Sequence, residues 1–415
     1  MQTQMLQEEL IPHLFRTEYR KIVSVLCKLF GIAHIELAED IASDTFLQAS
    51  ETWALKGLPQ NPVAWLYTVA KNKTKDYLKR DTLFQQKITG HLKQAIPTEE
   101  EIEIDLSGKN INDSQLQMMF AICHPSISAE AQIGLGLRIL CGFGVEEIAD
   151  AFLSNKETIA KRLYRAKEKL REEKVKIEWP GQAELPQRLE TVCTMLYLLF
   201  NEGYYSASQN VTLRKDLCLE AMRLNYLLTE YEATDVPFVN ALLSLMCFHS
   251  SRFEARTNSR DEIILYEEQD TALWNTELIM QGEYYLNKAA MGNHLSKYHL
   301  EAAIAWWHTR KTDTQEKWEN VLQLYNQLLM IEYSPVAALN RTYALSKANS
   351  KTEAIIEAEK LQLSQNHLYY ALLGNLYTGV DNTKAMENLN KALHFAKTNA
   401  DKKTINHAIE KLEQH

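Results

Sequence analysis

The chain has 415 residues, a formal net charge of −9 and 46% hydrophobic residues, a globular composition long enough for two or three domains. The negative balance argues against coating nucleic acid by bulk charge. Met1–Leu10 is polar and acidic rather than a leader, and the most apolar stretch, Val192–Phe200, falls short of the ~18 residues a span needs. A soluble, cytoplasmic protein with no membrane partner is expected. The six cysteines, at 27, 123, 141, 193, 218 and 247, are scattered without a C-x-x-C pair and read as buried free thiols of a reducing compartment.

In chain order, residues 35–53 read as an acidic amphipathic helix. Ile41, Thr45, Gln48 and Thr52 flank a polar face carrying Glu39, Asp40 and Asp44. Pro62 opens the next helix, where its missing N–H costs nothing. That helix is expected to bury Trp65, Leu66, Val69 and Leu78 and to expose Lys71, Asn72, Lys73, Lys75, Lys79 and Arg80. A locally basic helix carrying aromatics suits phosphate contact and stacking on unpaired bases. A plain three-helix core with a solvated basic edge would give the same pattern.

Residues 91–113 hold two lysines against six acids and read as a connector. Residues 141–171 then give a helix, a tight polar turn and a second helix with a basic outer face. Ile159, Leu163, Ala166 and Leu170 fall on one side of that second helix; Thr158, Lys161, Arg162, Arg165 and Lys169 share the other. Ile148, Ala149 and Leu153 give the first helix a small, apolar face, and Ser154-Asn155 can cap the second. This is the pattern of a helix-turn-helix whose second helix enters the major groove. Eight Lys/Arg against four Glu between Asn155 and Lys174 reconcile it with the acidic total.

Trp179-Pro180-Gly181 with Pro186 marks a boundary, beyond which long helices run with few Gly or Pro. A 34-residue step links Ala303, Ala337 and Ala371, and likewise Ala338/Leu372, Leu339/Leu373, Tyr343/Tyr377, Val321/Ile355, Leu322/Ile356 and Leu329/Leu363. Ala385–Phe395 reads as the last helix. Two helices per unit with small residues at the crossing is the tetratricopeptide (TPR) pattern of a curved solenoid. Four groups invite a catalytic or ligand-sensing reading: Asn201-Glu202-Gly203-Tyr204, His249 with Arg252 and Arg256, Glu267-Glu268-Gln269-Asp270, and His299 with Glu301. No phosphate loop, nucleophile elbow or metal-spaced His pair accompanies them, so a buried polar network is the expectation, with no catalytic residue, metal or cofactor.

In this order and spacing the segments resemble the sigma-70 family of RNA polymerase subunits, in its extracytoplasmic-function (ECF) type that keeps regions 2 and 4. Residues 36–53 match the part that grips the polymerase coiled coil, 61–80 the part that melts and reads the −10 element, and 116–171 the region that reads the −35 element. The phrases Leu196–Tyr205, Leu213–Leu224, Leu243–Arg252, Leu265–Trp274, Tyr298–Ala305 and Ser334–Arg341 resemble the subgroup with a large C-terminal TPR-like extension, thought to govern activity. The resemblance implies an all-α chain. Region 2 would occupy 1–90, an acidic linker 91–113 that could thread the polymerase cleft, and region 4 114–175. A linker at 176–185, a helical domain at 186–300 and TPR-like repeats at 301–415 would follow. It implies a non-enzymatic sigma factor whose partners are core RNA polymerase, promoter DNA and a protein or peptide bound by the extension. Glu39, Asp40, Asp44 and Gln48 would meet polymerase. Trp65, Asn72, Lys75, Asp76, Tyr77, Lys79 and Arg80 would meet the −10 strand, and Lys156, Thr158, Lys161, Arg162 and Arg165 the −35 duplex.

Two other readings stay open. One is a TPR adaptor with an inert helical N-terminal half; the other is a ligand-sensing helix-turn-helix regulator that acts without polymerase.

Overall fold

A computed structural model describes residues 2–89, 104–152, 154–204, 214–256, 264 and 266–414. It is all-α: the described residues contain nineteen helices and no strand. None of those helices is long and apolar enough to cross a membrane. The chain divides into two compact units, Met1–Met195 and Leu196–His415. The division falls inside a helix, past the Trp-Pro-Gly turn where the sequence places its boundary. All six cysteines are buried and none forms a disulfide.

The first unit opens with α1 (Gln2–Phe30), α2 (Ile35–Lys56) and α3 (Pro62–Thr89). Gly31 and Gly57 end α1 and α2 at φ 83° and 82°, backbone that favours glycine. Their N–H groups close onto Cys27 O and Trp53 O. Ile22, Val23, Leu26, Ile35, Ala38, Ala42 and Leu66 are fully buried between the three helices, each large apolar side chain contributing about 1.5–3 kcal/mol. The inner stripe of α3 is Leu66, Ala70 and Thr74, all at 0% exposure. Trp65, Val69 and Leu78, expected in the core, are half-buried at its flanks. Two small residues let α3 lie close, so the large ones are displaced sideways.

Four further helices complete the unit: α4 (Gly108–Ile122), α5 (Ala129–Leu135), continued by a π-helical turn at Gly136–Leu140, α6 (Val145–Ala151) and α7 (Lys156–Glu172). Residues 104–113, the end of the stretch read as a connector, join this packing: Ser107 caps α4, and Ile104, Leu106 and Ile111 are buried against Val25. The acids at 99–103 lie outside the described residues, as does Leu153. Trp179 closes the unit, donating to Asp113 Oδ1 (2.8 Å) and packing on Phe120.

α8 (Leu185–Tyr204) leads into α9 (Lys215–Thr229), α10 (Pro237–Ser250), the short α11 (Phe253–Arg256), α12 (Thr276–Ala289) and α13 (Lys297–Trp307). α10 is buried on nearly all sides, from Val239 to Phe248, as its mostly apolar sequence demands. Gly282 lets α12 cross it: a Cβ there would stand 2.5 Å from the Phe248 ring, and Ser244 Oγ donates to Gly282 O at 2.7 Å.

Helices α14 (Gln315–Ile331), α15 (Pro335–Ala348), α16 (Lys351–Lys360), α17 (His367–Tyr377), α18 (Asn382–Phe395) and α19 (Asn399–Glu413) pack each on the next. One apolar core runs through them from Leu300 to Leu412. The 34-residue step places Ala337, Leu339, Leu373, Tyr377, Val321 and Ile355 inside, while Ile356 is 54% exposed. α18 is not the last helix; α19 follows it, capped by Thr398.

Candidate nucleic-acid interface

α7 carries the most basic surface, and its two halves do different things. Asn155 Oδ1 accepts from Thr158 N–H at 2.7 Å and starts the helix at its N-cap. Ile159, Leu163, Ala166 and Leu170 are buried, as their spacing requires. Lys156, Thr158, Lys161 and Arg165 are exposed, and Arg162 lies 5.7 Å over the Phe152 ring. Lys156 is not fully committed to outside partners, since its Nζ meets Glu146 at 2.6 Å in an exposed pair. Tyr164, absent from the sequence expectation, is 63% exposed between Lys161 and Arg165. Its flat ring beside two cations is a contact type that bases accept.

The other half of α7 turns inward. Lys167 Nζ lies 3.0 Å from Glu39 and 3.3 Å from Glu36, and Arg171 Nη2 lies 3.2 Å from Glu36 and 2.9 Å from Ala33 O. Arg138, on the π-helical turn, binds the second oxygen of Glu39 at 2.7 Å. Glu39 is therefore 8% exposed and fully paired, not the outward-facing carboxylate that its place beside Asp40 suggests. Burial works against the Glu36 anion, yet its own backbone N–H and Lys167 hold its carboxyl below the usual range. Burial and then the Glu39 charge push the Tyr19 phenol up to about 12.

On the opposite side of α2, Asp40, Asp44 and Gln48 are exposed. The same side exposes Leu47 (58%) and Leu55 (87%), apolar side chains in phase with the acids that the sequence reading did not pick out. Two exposed leucines thus lie on the same face as the acids.

Along α3, Asn72, Asp76 and Arg80 are exposed, while Lys71, Lys73, Lys75 and Lys79 are half-buried along their stems. Trp65 sits edge-on to Trp53 at 5.3 Å, and Tyr77 edge-on to Phe30 at 5.9 Å. Both rings are thus anchored at one edge and half-open at the other.

Residues 14–83, from α1 into α3, match the family model described as Sigma-70 region 2. The N-terminal part of the chain carries a sigma-70 region 2, which supports a sigma-70 family member. Residues 188–290 match a second model, described as a family of unknown function, DUF6596. An uncharacterized protein of Rhizobium meliloti (strain 1021) is 32% identical over 356 residues, covering 83% of this chain and 82% of that protein. No solved structure matches the chain.

A sigma-70 region 2 implies the role of an RNA polymerase sigma factor and supports binding to core polymerase and promoter DNA. The family is not enzymatic. The matched segment holds the α2 stripe and the α3 residues from Trp65 to Arg80 within one bundle.

Proposed function

We propose that the chain is a sigma factor of the ECF type that reads both promoter elements and carries a regulatory TPR-like extension. The single observation that carries the reading is the region 2 match together with the basic, capped helix α7 downstream of it. In this reading Asp40, Asp44 and Gln48, joined by Leu47 and Leu55, meet the polymerase coiled coil. Trp65, Asn72, Lys75, Asp76, Tyr77, Lys79 and Arg80 take the −10 strand, where capture of unstacked bases offsets the few kcal/mol of opening them without ATP. Lys156, Thr158, Lys161, Arg162 and Arg165, with Tyr164, take the −35 duplex. Glu39 serves as an internal anchor for α7.

Affinity capture with core polymerase followed by run-off transcription tests the reading. Co-purification and transcripts from a template with both elements are expected. Tight operator binding without polymerase would replace it with the ligand-sensing regulator, and failure of both with the adaptor.

A further inference from the structure

Around Tyr266 the second unit gathers buried cations that, among the described residues, no carboxylate meets at ion-pair distance. Arg252 is 8% exposed, and its guanidinium lies 5.5 Å from the Tyr266 ring centre. Lys317 is 1% exposed, with Nζ 5.1 Å from the same centre, donating to Tyr266 Oη (3.1 Å) and Arg310 O (2.7 Å). The His308 and Trp274 rings contact Tyr266 at 5.2 and 6.3 Å, and the Gln269 N–H donates to its carbonyl. Four buried atoms on this one cluster lack a hydrogen-bond partner: Arg252 Nε, His308 Nδ1, Trp274 Nε1 and Gln269 Oε1.

The nearby acids are committed elsewhere. Glu267 takes Tyr343 Oη at 2.7 Å and Lys347 at 3.3 Å, and Glu268 pairs with Lys411. Asp270 accepts from Ala272 N–H, and Asp313 accepts from Trp318 Nε1 and lies 3.5 Å from Lys347. Burial, then Arg252 and Lys317, push His308 down to about 3, so its ring is neutral and its one N–H can serve as a donor. An arginine cannot shed its proton, and an uncompensated buried charge is costly. The usual remedy is an opposite charge, and none of the described residues supplies one at Arg252.

We propose that the Tyr266 cluster binds a small oxyanion, the phosphate or carboxylate group of a ligand, between Arg252 and Lys317 with Trp274 Nε1–H as a further donor. The site stands on the second unit alone and does not depend on the promoter-reading assignment above.

The test uses the full chain in scanning calorimetry, titrated with sodium phosphate and, in a separate arm, sodium acetate, each against sodium chloride of equal ionic strength. One arm should raise the melting temperature saturably, by about 3 °C at ten times Kd; which arm does so separates phosphate from carboxylate. Arg252→Gln should melt no lower than wild type without anion and lose the anion-dependent rise. Trp274→Phe keeps the ring and removes one donor, so its half-saturation point should move up about tenfold; it decides the matter should Arg252→Gln not fold. Equal melting in phosphate, acetate and chloride, or a rise that persists unchanged in the variants, would overturn the proposal.

Discussion

Two charge clusters of this protein, around Glu39 and around Tyr266, are built on opposite principles. Around Glu39 every charge has its counterpart: Arg138 and Lys167 on Glu39, Lys167 and Arg171 on Glu36. Around Tyr266, Arg252 is held by an aromatic ring and a long contact to Tyr204 Oη at 3.5 Å, with none of the described carboxylates on it. A paired cluster fixes one arrangement of helices, because any other strands a charge in the interior. An unpaired one leaves free energy available to whatever brings the missing sign.

Removal of one cation from each cluster gives the largest expected contrast. Arg138→Met strands Glu39, which keeps only Lys167, and should cost about 3 kcal/mol in urea unfolding. Glu39→Gln in the same chain should recover most of that loss. Arg252→Met removes a charge that has no counter-ion, so stability should move by less than about 1 kcal/mol, the lost ring contact offsetting the relieved desolvation. Equal losses at both positions would erase the distinction.

How far the sequence foretells these clusters depends on how far apart their members lie in the chain. The stripe Ile159, Leu163, Ala166 and Leu170 was legible because helical spacing is local, and Asn155 capped the helix where the turn chemistry put it. Glu39 was not, since its partners are 99 and 128 residues away and α2 shows three neighbouring acids with nothing to rank them. Residues 104–113 looked like linker because acids dominate, but Ile104, Leu106 and Ile111 supply enough apolar surface to dock on Val25. The Tyr266 cluster draws on four separate segments; only His249-Arg252-Arg256 and the run 267–270 were visible as unusual chemistry, with nothing to say they converge.

The contrast between the inner and outer faces of α2 is the next to sharpen. Asp40→Arg with Asp44→Arg changes only exposed positions, so the melting temperature should hold while capture of core polymerase falls by two orders of magnitude or more, about 3 kcal/mol, from like-charge contact. Retained capture would move the polymerase surface off this face. On α7 the corresponding contrast is between its ends. Arg162→Ala with Arg165→Ala should weaken recognition of the −35 element by about 1–3 kcal/mol per contact and leave capture by polymerase intact. Lys167→Ala should instead act on stability and on the compactness of the free chain, read by small-angle scattering.

The last effect concerns a half-buried acid, in contrast to Arg252. Glu301 on α13 accepts from Tyr197 Oη at 3.1 Å, while the adjacent Lys297 is drawn to Glu332 at 2.9 Å. Burial is the main cause that lifts its pKa to about 7, against the Tyr197 hydrogen bond and Lys297, which lower it. Unlike arginine, this group can discard its charge, and it does so by keeping a proton. Between the unfolded value near 4.5 and about 7 the folded chain therefore binds more protons than the unfolded one. Its contribution to stability is present in full below pH 4.5 and is lost as pH rises towards 7, after which the curve is flat in this group. The loss should amount to about 1–3 kcal/mol, discounted for partial exposure. Glu301→Gln, which fixes the neutral form, should remove that slope from the melting temperature measured between pH 5 and 8, and should leave the response of the Tyr266 cluster to anions unchanged. An undiminished slope in the variant would place the titrating group elsewhere in the unit.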